Sequence, residues 1–276
     1  MKPIVSAAEL MFFDKNDIII FDVSSGSESR YAVSHLEGAL YIDLERHLAD
    51  VGDFRVGGRH PLPIITEFIR VLEGFGVTNE SHLVLYDDKN GSNAAARFWW
   101  MLRAIGHKKV QVLNGGFQAA VTAGYSTSSD VEMPVRSKYV AKLEWQLATV
   151  SIQEVDIARQ DLATIVIDVR DNDRYLGLRE PIDLIAGHIP GAINIPFTEN
   201  LDAMGFFRPE MELNKKYNAI FGGTNVQDII VHCGSGVTAC HTLLALDYAG
   251  LGIPKLYVGS WSEWSRNSLP IGSRNN

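Results

Sequence analysis

Ile229-Ile230-Val231-His232-Cys233-Gly234-Ser235-Gly236-Val237-Thr238 decides how this chain is read. An apolar run ends abruptly at a cysteine. Small residues follow, and a helix-forming stretch then runs from Thr238 to Ala249, stopped by Gly250. The pattern predicts a buried strand, a tight loop and a helix, in that order. Such a loop puts one thiol at the floor of a ring of backbone N–H groups, just before a helix N-terminus. A ring of that kind is an anion-binding nest, and the helix dipole adds partial positive charge. Both favour the thiolate, which is the nucleophilic form of cysteine. The stretch thus predicts a nucleophilic cysteine with an anionic intermediate.

Working outward, the chain carries the same order of features twice. Ile18-Ile19-Ile20-Phe21-Asp22-Val23 matches Thr164-Ile165-Val166-Ile167-Asp168-Val169, and Ser34-His35-Leu36-Glu37-Gly38-Ala39 matches Gly187-His188-Ile189-Pro190-Gly191-Ala192. His82-Leu83-Val84-Leu85-Tyr86-Asp87 matches Asp228-Ile229-Ile230-Val231-His232-Cys233, and Val112-Leu113-Asn114-Gly115-Gly116-Phe117 matches Leu256-Tyr257-Val258-Gly259-Ser260-Trp261. A repeat as long as a small domain predicts a duplicated domain rather than a solenoid. In each half short apolar strands alternate with helical stretches such as Phe68–Phe75 and Ala94–Ile105. The expected fold class is α/β: two tandem domains, each a mainly parallel sheet flanked by helices. The expected boundaries are 1–128 for the first domain, 129–149 for a linker containing Pro134, and 150–276 for the second domain. Asp87 stands where the second half has Cys233, so only the second half is expected to be catalytic.

Length and composition narrow the classes. The 276 residues suffice for two ordinary domains. A hydrophobic share of 46% with 21% charged residues excludes disordered and fibrous chains. The net charge of −8 argues against nucleic acid or an anionic membrane surface as partner. Cys233 and Cys240 would lie about 10 Å apart along a helix, too far for a disulfide. Two unpaired thiols suit a reducing compartment, and neither a secretory signal nor a membrane-spanning run is visible, so the expected location is the cytoplasm. No residue spacing reads as a metal site, no glycine motif reads as a nucleotide loop, and no bound cofactor is expected.

The matched motifs give the chain a resemblance to the tandem-domain sulfurtransferases of the rhodanese superfamily, over nearly its whole length. The loop Cys233-Gly234-Ser235-Gly236-Val237-Thr238 is similar to that of the 3-mercaptopyruvate sulfurtransferases; thiosulfate-preferring members usually carry basic residues at the places of Gly234 and Ser235. The resemblance implies that Cys233 takes a sulfane sulfur and becomes a persulfide, Cys–S–S⁻, in covalent catalysis. The N–H groups from Gly234 through Gly236 and Val237 to Thr238 would stabilise the terminal sulfur, with the glycines supplying backbone freedom and Thr238 capping the helix. It further implies that Ser235 works with a histidine and an acid of the first domain, in a site at the domain interface. The matching residues are His60, in Gly57-Gly58-Arg59-His60-Pro61-Leu62-Pro63, and Glu45, where members of the family commonly have aspartate; Asp43 lies two residues earlier.

The donor carboxylate is expected to fall to arginine, whose fork matches it. Arg174, in Arg174-Tyr175, is the first candidate. The related enzymes often carry a second arginine a few residues on, where this chain has Ile182; either Arg179 replaces it or the site has one arginine. Asp168 and Arg170 read as structural, His35 and His188 as braces for turns, Cys240 and His241 as packing residues, and Trp261 and Trp264 as walls of the cleft. The expected partners are a small sulfur donor and a thiol or cyanide acceptor, or a thioredoxin-like or other protein acceptor. Two further readings share the cysteine: a thiosulfate:cyanide sulfurtransferase, and a persulfide carrier serving a protein acceptor. A cysteine phosphatase is disfavoured, because the loop has no arginine to hold phosphate and Ala239 stands where one would close it.

Overall fold

The computed structural model describes residues 1–24 and 28–274 and divides into two compact units. The first comprises Met1–Ala49, Pro63–Leu147 and Ala203–Phe207; the second comprises Asp50–Leu62, Ala148–Asp202 and Arg208–Asn276. This differs from the division drawn on the sequence. The segment 129–149 lies almost wholly in the first unit: Ser137 N–H donates to Glu73 O, and Trp145 packs against Phe68 and Trp100. Residues 50–62 belong to the second unit.

The first unit is built on a five-stranded parallel sheet. Its strands are β1 (Ile4–Val5), β2 (Ile18–Asp22), β3 (Ala39–Tyr41), β4 (His82–Tyr86) and β5 (Val110–Leu113), in the order β1-β5-β4-β2-β3. The second unit repeats the plan with β6 (Ile165–Asp168), β7 (Ile193–Asn194), β8 (Ile229–His232) and β9 (Lys255–Leu256), ordered β9-β8-β6-β7, again parallel. β8 is buried along its whole length, which is why its sequence is continuously apolar rather than alternating.

After β4 comes helix α1 (Ala94–Ala104), and after β8 helix α2 (Thr238–Tyr248). Most residues of both are buried, polar side chains such as Arg97, His241 and Thr242 among them. A short helix, α3 (Ser260–Trp264), follows β9. Two α/β units with parallel sheets flanked by helices agree with the expected fold class.

The duplication reaches single hydrogen bonds. Tyr31 stacks on His35 at 3.8 Å and Tyr175 on His188 at 3.9 Å, and each histidine Nδ1 bonds its tyrosine's carbonyl oxygen at 2.7 and 2.8 Å. Both histidines are therefore turn braces. Ser6–Glu9 and Ser151–Glu154 form capping boxes at equivalent helix starts. Trp261 and Trp264 are fully buried in the second core, with indole N–H groups donating to Ile185 O and Pro270 O. They are core residues, correcting the expectation that they wall a cleft.

Candidate active site

The catalytic loop is held from one side by the start of α3. Trp261 N–H donates to Cys233 O at 3.0 Å and Ser262 N–H to Gly234 O at 2.8 Å. Ser260 sits at φ 53°, a left-handed conformation unusual outside glycine. Its hydroxyl accepts the Cys233 N–H at 3.2 Å and donates to Tyr257 O at 2.8 Å. The matching residue of the first unit is Gly116, at φ 59°. Gly236 adopts φ 71°, and a Cβ there would stand 2.5 Å from Val258 O. Gly234 has no such φ, so backbone freedom does not explain it. A Cβ at 234 would instead meet the guanidinium Nη2 of Arg59 at 3.0 Å and of Arg174 at 3.4 Å.

Ser262 also fixes a second segment. Its hydroxyl accepts the Arg59 N–H at 3.1 Å, while Glu263 Oε1 accepts the Gly57 N–H at 2.8 Å. Gly58, at φ 77°, packs so closely on Gly259 O that a Cβ would come within 2.3 Å. These contacts place His60 against the loop: its Nδ1 and Ser235 Oγ are 2.8 Å apart. Ser235 donates in this bond when His60 carries its proton on Nε2. Cys233 and Ser235 are both buried. The pairing expected from the sequence is thus present, with His60 supplied by a segment of the second unit.

The arginines form a paired cluster. Arg174 Nη2 donates to Glu180 Oε1 at 2.7 Å and to Asp183 Oδ2 at 3.2 Å, and its Nε donates to Glu180 Oε2 at 3.2 Å. Arg59 Nε donates to Asp183 Oδ1 at 3.0 Å, and Arg266 Nη1 lies 3.4 Å from the same oxygen. Asp183 therefore gathers three guanidiniums while fully shielded from solvent. Burial works against the Glu180 carboxylate, but Arg174 and backbone N–H groups outweigh it and hold its pKa below the usual value. Beneath this cluster Arg170 makes a bidentate pair with Asp168 and donates to Gly187 O. Burial would raise the pKa of Asp168; Arg170 and His232 bring it below the ordinary carboxylate range. Both residues are structural, as expected.

Two expectations need correction. Thr238 does not cap α2: it is the first helical residue, and the capping position is Val237, which makes no side-chain cap. Arg179 points outward, exposed, while its neighbour Glu180 turns in to hold Arg174; the second cation at Gly234 is Arg59. The loop has no basic residue of its own, yet two guanidiniums lie against it, so it is not a neutral site. Glu45 is exposed on a short helix of the first unit, where the Asp43 carboxylate caps it by accepting the Glu45 and Arg46 N–H groups. Arg59, Asp183 and Ser262 escaped the sequence reading; the Gly57-Gly58 pair was the available sign that backbone packs tightly there.

In the first unit, the equivalent loop is filled by its own side chain. Asp87 Oδ1 accepts the N–H groups of Lys89 and Gly91, both at 2.8 Å, and Oδ2 those of Asn93 at 3.1 Å and Ala95 at 3.2 Å. Burial pushes the Asp87 pKa up against the pull of these four donors. Both cysteines are free, and among the described residues no group of acids, histidines and cysteines could hold a metal ion. Among the same residues, no helix is long and apolar enough to cross a membrane.

A doubled α/β domain that keeps its cysteine in one copy only, with guanidiniums beside the loop, has the parts that group transfer through a thiolate requires. The rhodanese-like domain matches residues 6–123 and 151–267. A probable 3-mercaptopyruvate sulfurtransferase of Pseudomonas aeruginosa is 41% identical over 240 residues, 85% of this chain and 82% of the relative. The thiosulfate sulfurtransferase of Mus musculus is 34% identical over 251 residues, covering 88% and 82%. The structure of 3-mercaptopyruvate sulfurtransferase from Leishmania major superposes with a TM-score of 0.84 at 29% identity, over 98% of this chain and 75% of that one. The chain belongs to the rhodanese-like family, and its function is that of a sulfurtransferase.

Proposed function

We propose that this enzyme takes sulfur from 3-mercaptopyruvate and passes it to a thiol, cyanide or a thioredoxin-like or other protein acceptor, in the cytoplasm and without a bound cofactor. The observation that carries the reading is the 2.8 Å bond between Ser235 Oγ and His60 Nδ1, two residues beyond the nucleophile. The Cys233 thiolate attacks the donor sulfur. An S–S bond forms, the C–S bond breaks, and its electron pair stays on carbon as the enolate of pyruvate. That enolate needs a proton. The donor's S–H proton, released as the persulfide ionises, can pass through Ser235 and His60 to the carbon, so charge and protons balance. The acceptor thiolate or cyanide then attacks the outer sulfur and frees the Cys233 thiolate. Arg174 holds the donor carboxylate.

One observation favours thiosulfate as a second donor. The guanidiniums of Arg59 and Arg174 against Gly234 supply positive charge where the loop itself has none. Initial rates with both donors, and Cys233→Ser as blank, test the assignment. A higher kcat/KM for 3-mercaptopyruvate is expected, and a preference for thiosulfate would reverse the donor order. Turnover retained in Cys233→Ser would overturn the persulfide route itself.

A further inference from the structure

We propose that Arg59 is a donor-binding and specificity-determining residue, gripping the anionic group of the sulfur donor together with Arg174 across the bare Cα of Gly234. The inference rests on the sulfurtransferase reading of this site and adds a residue from a distant segment. Gly234 lacks the positive φ that strains a residue with a side chain. What a side chain would lose is space: its Cβ would lie 3.0 Å from Arg59 Nη2, 3.4 Å from Arg174 Nη2 and 3.5 Å from Asp183 Oδ2. Absence of a side chain at 234 is therefore what lets two cations reach the loop beside the nucleophile.

Arg59 is held for this task from both ends. Its backbone N–H is fixed on Ser262, the residue whose own N–H fixes Gly234 O. Its guanidinium uses one edge, Nε and Nη2, on Asp183. A guanidinium has five N–H donors, so the opposite edge keeps donors for an incoming oxyanion. The Arg59 side chain is 19% exposed whereas Asp183 is fully shielded, so a ligand reaches the arginine without competing for its anchor. The charges leave room for an anion. Among the described residues, Arg59, Arg170, Arg174 and Arg266 make their ion pairs with Asp168, Glu180 and Asp183, four cations to three carboxylates. A mercaptopyruvate carboxylate or a thiosulfonate oxygen would complete the balance.

The test compares wild type, Arg59→Ala and Arg59→Lys with 3-mercaptopyruvate, thiosulfate and mercaptoacetone, which keeps the ketone and thiol but has no carboxylate. Losing a charge-assisted contact should raise KM for the two anionic donors in Arg59→Ala by roughly 10- to 100-fold. The effect on kcat should be small, because binding to ground and transition states is lost alike. KM for mercaptoacetone should stay within about threefold of wild type, and Arg59→Lys should recover part of the loss as a point charge without the fork. An equal rise for all three donors, or none for the anionic ones, overturns the role. In parallel, calorimetry of thiosulfate binding in a Cys233→Ser background reads the site without turnover. A Kd weakened to the same extent by Arg59→Ala supports the role even if the wild type prefers another donor; an unchanged Kd overturns it. If Arg59→Ala fails to fold, Gly234→Ala, whose Cβ displaces Arg59 Nη2 while the Nε–Asp183 Oδ1 bond remains to anchor the side chain, is measured instead. The same selective rise in KM is then required.

Discussion

Adding one methyl group to the catalytic loop should have opposite consequences at its two glycines. At Gly236 the backbone is left-handed, at φ 71°, which costs a residue with a Cβ about 1–2 kcal/mol. The new carbon would also stand 2.5 Å from Val258 O, 3.0 Å from Val258 Cα and 3.1 Å from its carbonyl carbon. All three are backbone atoms with no flexible end to yield, so overpacking adds about 1–3 kcal/mol. Gly236→Ala should therefore lose roughly 2–5 kcal/mol, with Tm falling about 2–4 °C for each of them. Relief requires Val258 to move, and with it Ser260, whose hydroxyl holds the Cys233 N–H, so persulfide formation should slow as well. At Gly234 the φ is permissive and the contacts are side-chain ends, so Gly234→Ala should change stability by less than about 1 kcal/mol and act on donor KM. Thermal unfolding, with mass spectrometry of the Cys233 persulfide after a timed pulse of donor, reads both effects. If Gly236→Ala were as stable as wild type, or Gly234→Ala the less stable of the two, the account of this loop would be wrong.

Ser235→Ala should lower kcat with 3-mercaptopyruvate by about 10²- to 10⁴-fold, the usual worth of a positioned proton relay, while sparing thiosulfate, whose leaving sulfite needs no proton; equal losses with both donors would remove Ser235 from the proton path. As pH falls the enzyme should lose the stability that His232, Asp168 and Glu180 contribute, offset in part by Asp87, whose raised pKa favours the folded state on acidification. His232, depressed by burial, and Asp168 and Glu180, depressed once their arginine partners outweigh burial, all have folded pKa values below their unfolded ones, so the unfolded state binds more protons. His232 gives its contribution up as pH drops below about 6.5 and the carboxylates theirs below about 4.5; denaturant midpoints from pH 7 to 5 should decline, less steeply in His232→Gln, and a rise on acidification would refute the assignment. Asp87→Asn should destabilise the protein by about 2–6 kcal/mol, because the amide turns an NH₂ group toward two of the four N–H donors and leaves them unpaired; an unchanged unfolding midpoint would mean that the loop re-pairs them.

The parts of the site legible in the sequence are those built from neighbours. The run from Ile229 to Thr238 specifies strand, loop and helix by local periodicity, and Arg174 follows β6 closely enough to be found by motif. Arg59 was not legible as a ligand-side cation: it reaches Asp183 across 124 positions, by way of a segment that belongs to the second unit although it lies within the first repeat. Arg179 and Glu180 show the limit of register arguments, since adjacent residues in a short irregular segment face opposite ways. Thr238 has the chemistry of a helix cap, but Val237 already has helical angles in the capping position. The two tryptophans could have lined a cleft or a core by composition alone; their N–H bonds to Ile185 and Pro270 decide for the core.

The same nest serves the two halves differently, and covalent geometry explains how one can inform the other. In aspartate the charged oxygens stand three bonds from Cα. In a cysteine persulfide the charged terminal sulfur also stands three bonds from Cα. The Asp87 carboxylate thus holds its oxygens at the distance where Cys233 carries charge only after taking sulfur. Its four N–H contacts show how a strand–loop–helix turn of this family receives a negative charge at that distance, with donors drawn from the loop and from the first turn of the helix. In the first unit those donors are saturated, so the loop is a closed structural element. In the second unit the side chain at this place ends one atom short, at Sγ, and the loop gains its matching anion only when an S–S bond forms. Binding that becomes available in the intermediate and is absent in the resting enzyme is what lowers the barrier to sulfur capture. It also accounts for the asymmetry of the duplication: a loop already neutralised by its own carboxylate has nothing left to offer a persulfide.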